Sequence, residues 1–216
     1  MEKYIKMKNL LPALLFVTSF SFAACDDLYP NSKPIIVKNT VELCNSFYVS
    51  VFDKQNQRVI LVSEHLKHNG VGTAKRVDAF RSDPRVGTLP QPQQYLRTGY
   101  DKGHMAPAGD ASNDKEMYDT FLMTNMTPQL PTVNRESWRM LEEATRKLFD
   151  SSKSDMYIVN IAVYNDNKKM GTIPIPTGYW KIVTIDGKTK YYYCDNIDNS
   201  KVKEKSAVDI TTLLPK

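Results

Sequence analysis

The sequence predicts a single α+β domain with a central antiparallel sheet flanked by helices. A chain of 216 residues is long enough for one well-buried domain, but too short for two ordinary domains and a leader. The hydrophobic fraction of 41% and the charged fraction of 25% are typical of globular proteins, and nothing indicates disorder, collagen or a repeat array. Strand-like runs joined by turn-rich connectors, together with helix-like segments, indicate the α+β class.

Residues 1–24 predict a signal peptide, which leaves residues 25–216 as the domain. The segment combines early lysines, an apolar run and small residues, namely Lys3, Lys6, Lys8, residues 10–22, Ala23 and Ala24. We therefore expect a secreted or periplasmic protein. Lipidation at Cys25 is the alternative, because Ala23-Ala24-Cys25 forms most of a lipoprotein box. A stable membrane partner is expected only in that case.

The net charge indicates a mildly basic domain. The formal charge of the whole chain is +5, and the leader contributes a net +2 through its three lysines and Glu2. The domain therefore carries +3. This value is compatible with a polyanionic partner such as nucleic acid, but it does not identify one.

The three cysteines, Cys25, Cys44 and Cys194, leave one thiol unpaired in any arrangement within the chain. Export would permit a disulfide bond. If Cys25 is unmodified, a Cys25–Cys44 bond would fasten the start of the mature chain. If Cys25 is lipidated, Cys44–Cys194 is the only bridge left. The sequence does not choose between them.

The first half of the domain contains a predicted hairpin, a long irregular segment and a short helix. Residues 47–52 and 58–62 form strand-like runs around a turn-rich connector, and residues 63–66 are expected to leave the sheet. Residues 70–99 show no clear period and predict a long surface segment. Asn113 or Asp114 is expected to cap a helix that extends to Phe121.

The second half contains the strongest predicted helix, from Asn134 to Phe149, in which Trp138, Leu141 and Leu148 recur at helical spacing. Ser151 and Ser152 are expected to end it. Residues 121–125 predict a buried strand or turn, and residues 157–163 predict a central strand. Residues 173–176 predict an edge or loop element because they contain proline, and residues 179–194 predict a hairpin.

Three residues predict phosphodiester chemistry. His104 suits a general base, because an unperturbed histidine is largely neutral at pH 7. Magnesium keeps most of its waters and needs few protein ligands. On a straight helix, Asn134 and Glu142 would lie roughly 12 Å apart along the axis and roughly 80° apart around it. We therefore expect Asn134 as the direct ligand and Glu142 as a hydrogen-bond acceptor for the metal's waters. Taken singly, each has a structural alternative: Asn134 as a helix cap and Glu142 as part of a solvated face.

The sequence motifs resemble those of the DNA/RNA non-specific endonucleases. The matching residues are Asp101-Lys102-Gly103-His104, Asn125-x2-Pro128-Gln129, Asn134, Trp138 and Leu141-Glu142. Upstream, Phe80-Arg81-x-Asp83-Pro84 resembles the endonuclease G branch. The similarity covers about residues 76–149. It implies a fold with a ββα-metal active-site motif, as found in secreted bacterial nucleases and endonuclease G.

The resemblance also implies roles for individual residues and for partners. His104 would be the general base and Asn134 the protein ligand of Mg²⁺, with Mn²⁺ as the alternative metal. Asn125 and Glu142 would organise the metal's surroundings, and Arg76 would stabilise the phosphate. Lys102 stands where the family usually has arginine, so it would contact the substrate with a point charge. DNA and RNA are the expected substrates, with little sequence specificity. The oligomeric state stays open, a homodimer included.

Two other interpretations fit the sequence less well. His65 and His68 are spaced for a zinc site, but no third ligand cluster lies near them in sequence, so solvated surface histidines are expected. An exported nucleic-acid-binding protein that has lost cleavage is the main non-enzymatic alternative. A pure binder, however, has no need of a general base beside a metal.

Overall fold

The computed structural model describes residues 25–68 and 71–215. The predicted signal peptide lies outside the described residues. The helices are α1 (Asp114–Thr120) and α2 (Arg139–Ser151), and α2 is preceded by a π-helical turn (Val133–Trp138). The strands are β1 (Val41–Cys44), β2 (Tyr48–Asp53), β3 (Arg58–Leu66), β4 (Asp101–His104), β5 (Met126–Gln129), β6 (Met156–Val163), β7 (Lys169–Met170), β8 (Ile173–Pro174), β9 (Gly178–Ile185), β10 (Lys188–Asp195) and β11 (Lys203–Lys205).

Within the described residues, seven strands form one antiparallel sheet in the order β1-β2-β3-β6-β9-β10-β11. This confirms the predicted α+β class, and the chain forms a single domain. Strand β6 lies at the centre, as its apolar run predicted. The predicted hairpins are β2–β3 and β9–β10. Asp186 and Gly187 join the second pair with φ angles of 50° and 68°, as a tight two-residue turn requires.

The end of β3 differs from the prediction that residues 63–66 leave the sheet. His65 and Leu66 still pair with Tyr157 and Met156 of β6, and β3 is buried from Val59 to Leu66. The prediction was wrong because β3 is covered on both faces and paired on both edges. A polar residue in such a strand does not mark its end.

His65 is also buried, with 8% of its surface exposed. Its ring stacks on Tyr157 at 4.2 Å between centroids, and its Nε2 lies 3.0 Å from Asp155 Oδ2. The prediction of a solvated histidine was therefore wrong for His65. It is confirmed for His68, which is exposed and stacks on Phe149.

The sheet separates two hydrophobic cores. The inner face packs against α1, α2 and the β4–β5 ribbon through large buried residues such as Phe121 and Trp138. The outer face is covered by the two ends of the described chain, which contribute Leu28, Tyr29 and Leu213 among others. Among the described residues, no helix is long and apolar enough to cross a membrane.

A disulfide bond joins Cys25 to Cys44. It is the pairing expected if Cys25 is unmodified, and it ties the start of the described chain to the edge strand β1. Cys194 keeps a free thiol, which is fully buried and lies 3.5 Å from Ser200 Oγ. The alternative Cys44–Cys194 bridge is therefore not formed.

The strongest predicted helix has the expected C-terminus, Ser151, but a different beginning. The helical backbone already includes Pro131 and Thr132, so Asn134 is inside the helix and does not cap it. Proline is well suited to a first helical turn, because its missing N–H would have no intrahelical partner there. The other helix, α1, has the predicted cap: Asn113 accepts a hydrogen bond from Glu116 N–H at 3.0 Å.

Residues 71–99 are mostly irregular, as predicted, but they are anchored by a buried carboxylate. Asp83 accepts hydrogen bonds from the side chain and backbone of Arg85 and from Thr124 Oγ1 at 2.6–3.1 Å. Burial by itself would raise the pKa of Asp83, but the bonds from Arg85 and Thr124 outweigh it and hold the pKa below its ordinary value.

We expect Asp83→Asn to lower the free energy of unfolding at pH 7 by about 2 kcal/mol or more, because it removes a buried charge-assisted network. The folded pKa lies below the unfolded value of about 3.9, so this stabilisation is present above that pH and is lost as pH falls through the folded pKa. Urea unfolding between pH 7 and pH 3 measures the loss of unfolding free energy and its dependence on pH. The exposed Asp78→Asn is the control. A difference between Asp83→Asn and wild type that persists undiminished at pH 3 would contradict this interpretation.

Candidate active site

All of the predicted site residues except Asn125 line one cleft of about 490 Å³ beside the β4–β5 ribbon. His104 ends β4 and pairs with Met126 at the start of β5. Gly103 precedes it, and a Cβ at this position would overlap the side chain of Gln129. A glycine is therefore required for the ribbon to pack here. The ribbon and the following helix form the ββα arrangement that the sequence motifs implied.

His104 lies in an aromatic environment. Its ring meets Phe121 edge to face at 4.9 Å between centroids, and Phe80 lies at 5.8 Å. Nε2 is buried without a hydrogen-bond partner. Burial, reinforced by the positive charge of Arg76, lowers the pKa of His104 to about 3. The imidazole is therefore neutral at pH 7 and retains the lone pair that a general base needs.

The amide of Asn134 is oriented by Asp101. Asn134 Nδ2 donates to Asp101 Oδ2 at 2.9 Å, and Arg135 donates to both oxygens of the same carboxylate at 2.6–2.7 Å. Burial would raise the pKa of Asp101, but these bonds lower it, so the carboxylate is ionised. Because the amide nitrogen faces Asp101, the amide oxygen is left for the cleft.

Glu142 reaches the same cleft because of the π-helical turn. A π turn adds one residue to a helix, so the eight-residue separation from Asn134 acts like seven residues, or about two full α-helical turns. The offset of roughly 80° expected for a straight helix is therefore largely removed, and both side chains line one cleft. Burial raises the pKa of Glu142 to about 7, although the positive charge of Lys181 opposes this effect.

Arg76 and Lys102 also line the cleft. Arg76 has 59% of its side chain exposed, lies 5.3 Å from the Phe121 ring centroid and pairs with Asp78 at 2.9 Å. Lys102 Nζ lies 4.6 Å from the Phe80 ring centroid. The structure thus brings both cations to the cleft that contains His104, even though the motif around Arg76 matches only loosely in sequence.

Asn125 does not reach the cleft. It is fully buried: its Oδ1 accepts from Ala106 N–H at 2.8 Å, and its Nδ2 donates to the carbonyls of Ala106 and Thr120 at 2.9 and 2.8 Å. A direct contact between Asn125 and the metal's surroundings does not fit this geometry, since the side chain is committed to backbone groups. Its location indicates that it holds the chain just after His104.

Several cleft residues lie outside the motifs that indicated the site. Arg146 lies one helical turn after Glu142, and it pairs with the buried Asp110 at 2.8 Å. Its i, i+4 spacing from Glu142 was a signal available in the sequence. Nothing local in the sequence distinguished Asp101 as the residue that orients Asn134, because their contact spans 33 positions.

The donor atoms fit a hard divalent cation. An oriented amide oxygen from Asn134 and the carboxyl group of Glu142 supply oxygen donors, which Mg²⁺ prefers. Among the described residues, no group of three or more His, Cys, Asp or Glu could hold a metal ion. A metal here would therefore keep most of its waters, which is usual for Mg²⁺.

Comparisons with known proteins agree with the geometry. The chain matches the DNA/RNA non-specific endonuclease family over residues 26–212. A protein named Nuclease from Nostoc sp. is 39% identical over 132 residues, which is 57% of this chain and 47% of that protein. Nuclease C1 from Cunninghamella echinulata var. echinulata is 30% identical over 190 residues, which is 76% of this chain and 75% of that protein.

A solved structure of the EndoG/EndoGI complex is similar in fold, with a TM-score of 0.59 and 26% identity, and the match covers 81% of this chain and 80% of that chain. Other relatives are named as mitochondrial nucleases. The chain spans about half of the length of the Nostoc protein, 47%.

Removing Asp101 is expected to weaken divalent-metal binding. In Asp101→Ala the amide of Asn134 is free to turn its nitrogen toward the cleft, so we expect Mn²⁺ affinity to fall by about 10- to 100-fold. Isothermal titration calorimetry with Mn²⁺ measures this. Glu143→Ala is the matched control, because it removes the same charge from the same cleft without touching Asn134. Equal losses in both variants would show that only the charge matters.

Proposed function

Because the chain belongs to the DNA/RNA non-specific endonuclease family, we propose that it hydrolyses phosphodiester bonds of DNA and RNA with little sequence specificity. Hydrated Mg²⁺ is the metal, with Mn²⁺ as the alternative. The observation that carries the proposal is that a neutral histidine, an oriented amide oxygen and a carboxyl group face one basic cleft.

In this mechanism His104 takes a proton from the water that attacks phosphorus. Its low pKa keeps it unprotonated before the substrate arrives. An anionic phosphate entering the cleft would raise that pKa, because a nearby negative charge favours the imidazolium. His104 therefore becomes a stronger base when the substrate is bound, and it returns the proton to solvent after the reaction.

Asn134 would hold the metal through its amide oxygen, and Glu142 would accept hydrogen bonds from the metal's waters. When bound, the ion supplies charge neutralisation at the phosphoryl oxygens and stabilises the leaving oxygen. Asp101 keeps the Asn134 amide in the orientation that this requires.

Arg76 and Lys102, which line the same cleft, would bind phosphate. Arg76 presents a planar fork, and its charge already acts on His104. Lys102 carries a single ammonium, so it attracts phosphate without bidentate geometry. Contacts of this kind reach the backbone and not the base edges, which supports the lack of sequence specificity.

The proposed location is outside the cytoplasm, secreted or periplasmic. The Cys25–Cys44 disulfide supports an oxidising compartment, and a sulfur held in that bond is not available for lipidation. The leader-like pattern of residues 1–24 supports export independently. A homodimer is compatible with the proposal, which does not depend on it.

The central test uses residues 25–216, produced under oxidising conditions, with supercoiled plasmid and structured RNA as substrates. We expect both to be degraded with Mg²⁺ and neither with EDTA. His104→Ala should lose at least about 10²-fold in rate, as expected for a general base. His68→Ala, an exposed histidine outside the cleft, is the control. Salt-sensitive binding of nucleic acid without cleavage in the presence of any divalent metal would refute the proposed nuclease activity. It would favour a nucleic-acid-binding protein.

Lys102 is expected to contribute one phosphate contact. Lys102→Gln should weaken binding of DNA, measured in EDTA to prevent cleavage, about equally for different sequences. It should also reduce the slope of log affinity against log salt by about 1. Fluorescence anisotropy across a salt series measures both. The exposed Lys188→Gln, which is outside the cleft, should leave the slope unchanged. An unchanged slope in Lys102→Gln would exclude the contact.

A further inference from the structure

The side chain of His104 has few directional contacts, whereas the backbone on both sides of it is held by hydrogen bonds. Its Nε2 has no hydrogen-bond partner, and Phe80 and Phe121 contact the ring without a directional bond. Ring contacts of this kind limit the space available but do not fix the ring against small shifts. The backbone of Met105 is fixed, however, beginning with its N–H, which donates to the carbonyl of Asn125 at 2.9 Å.

The carbonyl of Met105 is held from the centre of the sheet. Asn160, on β6, donates from Nδ2 to this carbonyl at 2.9 Å, and the same nitrogen donates to Glu64 Oε1 at 2.6 Å. A primary amide has two N–H donors, so both are used. Asn160 and Glu64 are each 0% exposed. The amide of Asn160 is therefore locked between a buried carboxyl group and the residue after His104.

Three buried polar side chains, Asn160, Glu64 and Lys181, interrupt an apolar surface. In the sheet register Asn160 lies opposite Val62 of β3 and Lys181 of β9, and Glu64 is two residues beyond Val62 on the same face. The face otherwise belongs to the inner hydrophobic core. Burying a carboxyl group, an amide and an ammonium costs free energy that apolar side chains would not cost. The arrangement therefore serves something other than packing alone.

We infer that Asn160, oriented by Glu64, is a positioning residue for His104. This inference rests on the proposed nuclease function and adds to it two residues from the opposite side of the core. Asn160 and Met105 are 55 positions apart in the sequence. Their hydrogen bond connects the residue that follows β4 of the β4–β5 ribbon to β6, the central strand of the sheet. A shift of about 1 Å in a reacting group can cost about 10²-fold in rate.

The test uses Asn160→Leu, because leucine is similar in size to asparagine but has no hydrogen-bond donor in its side chain. We expect kcat to fall by at least about 10-fold, with KM for nucleic acid changed less than about 3-fold, because the base is misplaced and the cleft is intact. In a His104→Ala background the same change should cause no further loss, since there is no base left to position. Glu64→Gln retains an accepting oxygen and should keep most of kcat, whereas Glu64→Leu should lose it.

Ser63→Ala is the matched control for a buried hydrogen bond of the sheet. Ser63 is 0% exposed and donates to the carbonyl of Leu28 at 2.7 Å, on the outer face. We expect it to lower stability without changing kcat. The inference would be overturned if Asn160→Leu left kcat unchanged. It would also be overturned if Asn160→Leu lowered kcat equally in the wild type and in the His104→Ala variant. No cleavage by the wild type would instead refute the proposed function.

A second readout does not require activity. NMR of protein labelled at histidine reports the environment of the His104 ring directly. Asn160→Leu should shift the His104 ring signals and Ser63→Ala should not. If Asn160→Leu does not fold, Asn160→Ser provides the same comparison, because its hydroxyl is too short to hold both partners. Unchanged His104 signals in a folded variant would overturn the inference.

Discussion

The neutral imidazole of His104 is the feature on which the rest of the cleft depends. The same burial that lowers its pKa to about 3 leaves Nε2 without a hydrogen-bond partner, so this nitrogen does not help to hold the ring in place. The protein compensates by fixing the neighbouring backbone. Asn125 bonds to Ala106 on both sides, and Asn160 bonds to the carbonyl of Met105. In the proposed mechanism, these hydrogen bonds would keep the base in place within its apolar surroundings.

The charged side chains of the cleft are also held in place by neighbouring groups. Each arginine at the cleft has a carboxylate partner, in the pairs Arg76–Asp78, Arg135–Asp101, Arg139–Glu143 and Arg146–Asp110. Among the described residues Lys102 has no such partner and rests on the Phe80 ring. Paired arginines are held in place before an anion arrives, which reduces the entropy lost on binding. In the proposed function, Lys102 would supply a charge without an ion-pair partner that attracts a polyanion.

The π-helical turn links the helix to the chemistry. A straight α-helix would separate Asn134 and Glu142 around its axis, whereas the extra residue of the turn returns both to one side. The turn also lies next to the ribbon, so Asn134 meets Asp101 across 33 positions of sequence. The irregular backbone of the π-helical turn, and not the residue types alone, therefore brings Asn134 and Glu142 to the same cleft.

The sequence by itself determined the α+β class, both hairpins, the central strand and the C-terminal end of α2, because these depend on local turn chemistry and on short apolar patterns. It also indicated that His104, Asn134, Glu142 and Arg76 belong to one site. Only the tertiary structure decided that Asn125 holds backbone instead of facing the cleft, that β3 continues through Leu66, and that Cys25 pairs with Cys44. Each of these depends on which distant groups a residue meets, and contacts across tens of positions leave no periodic signal in the chain.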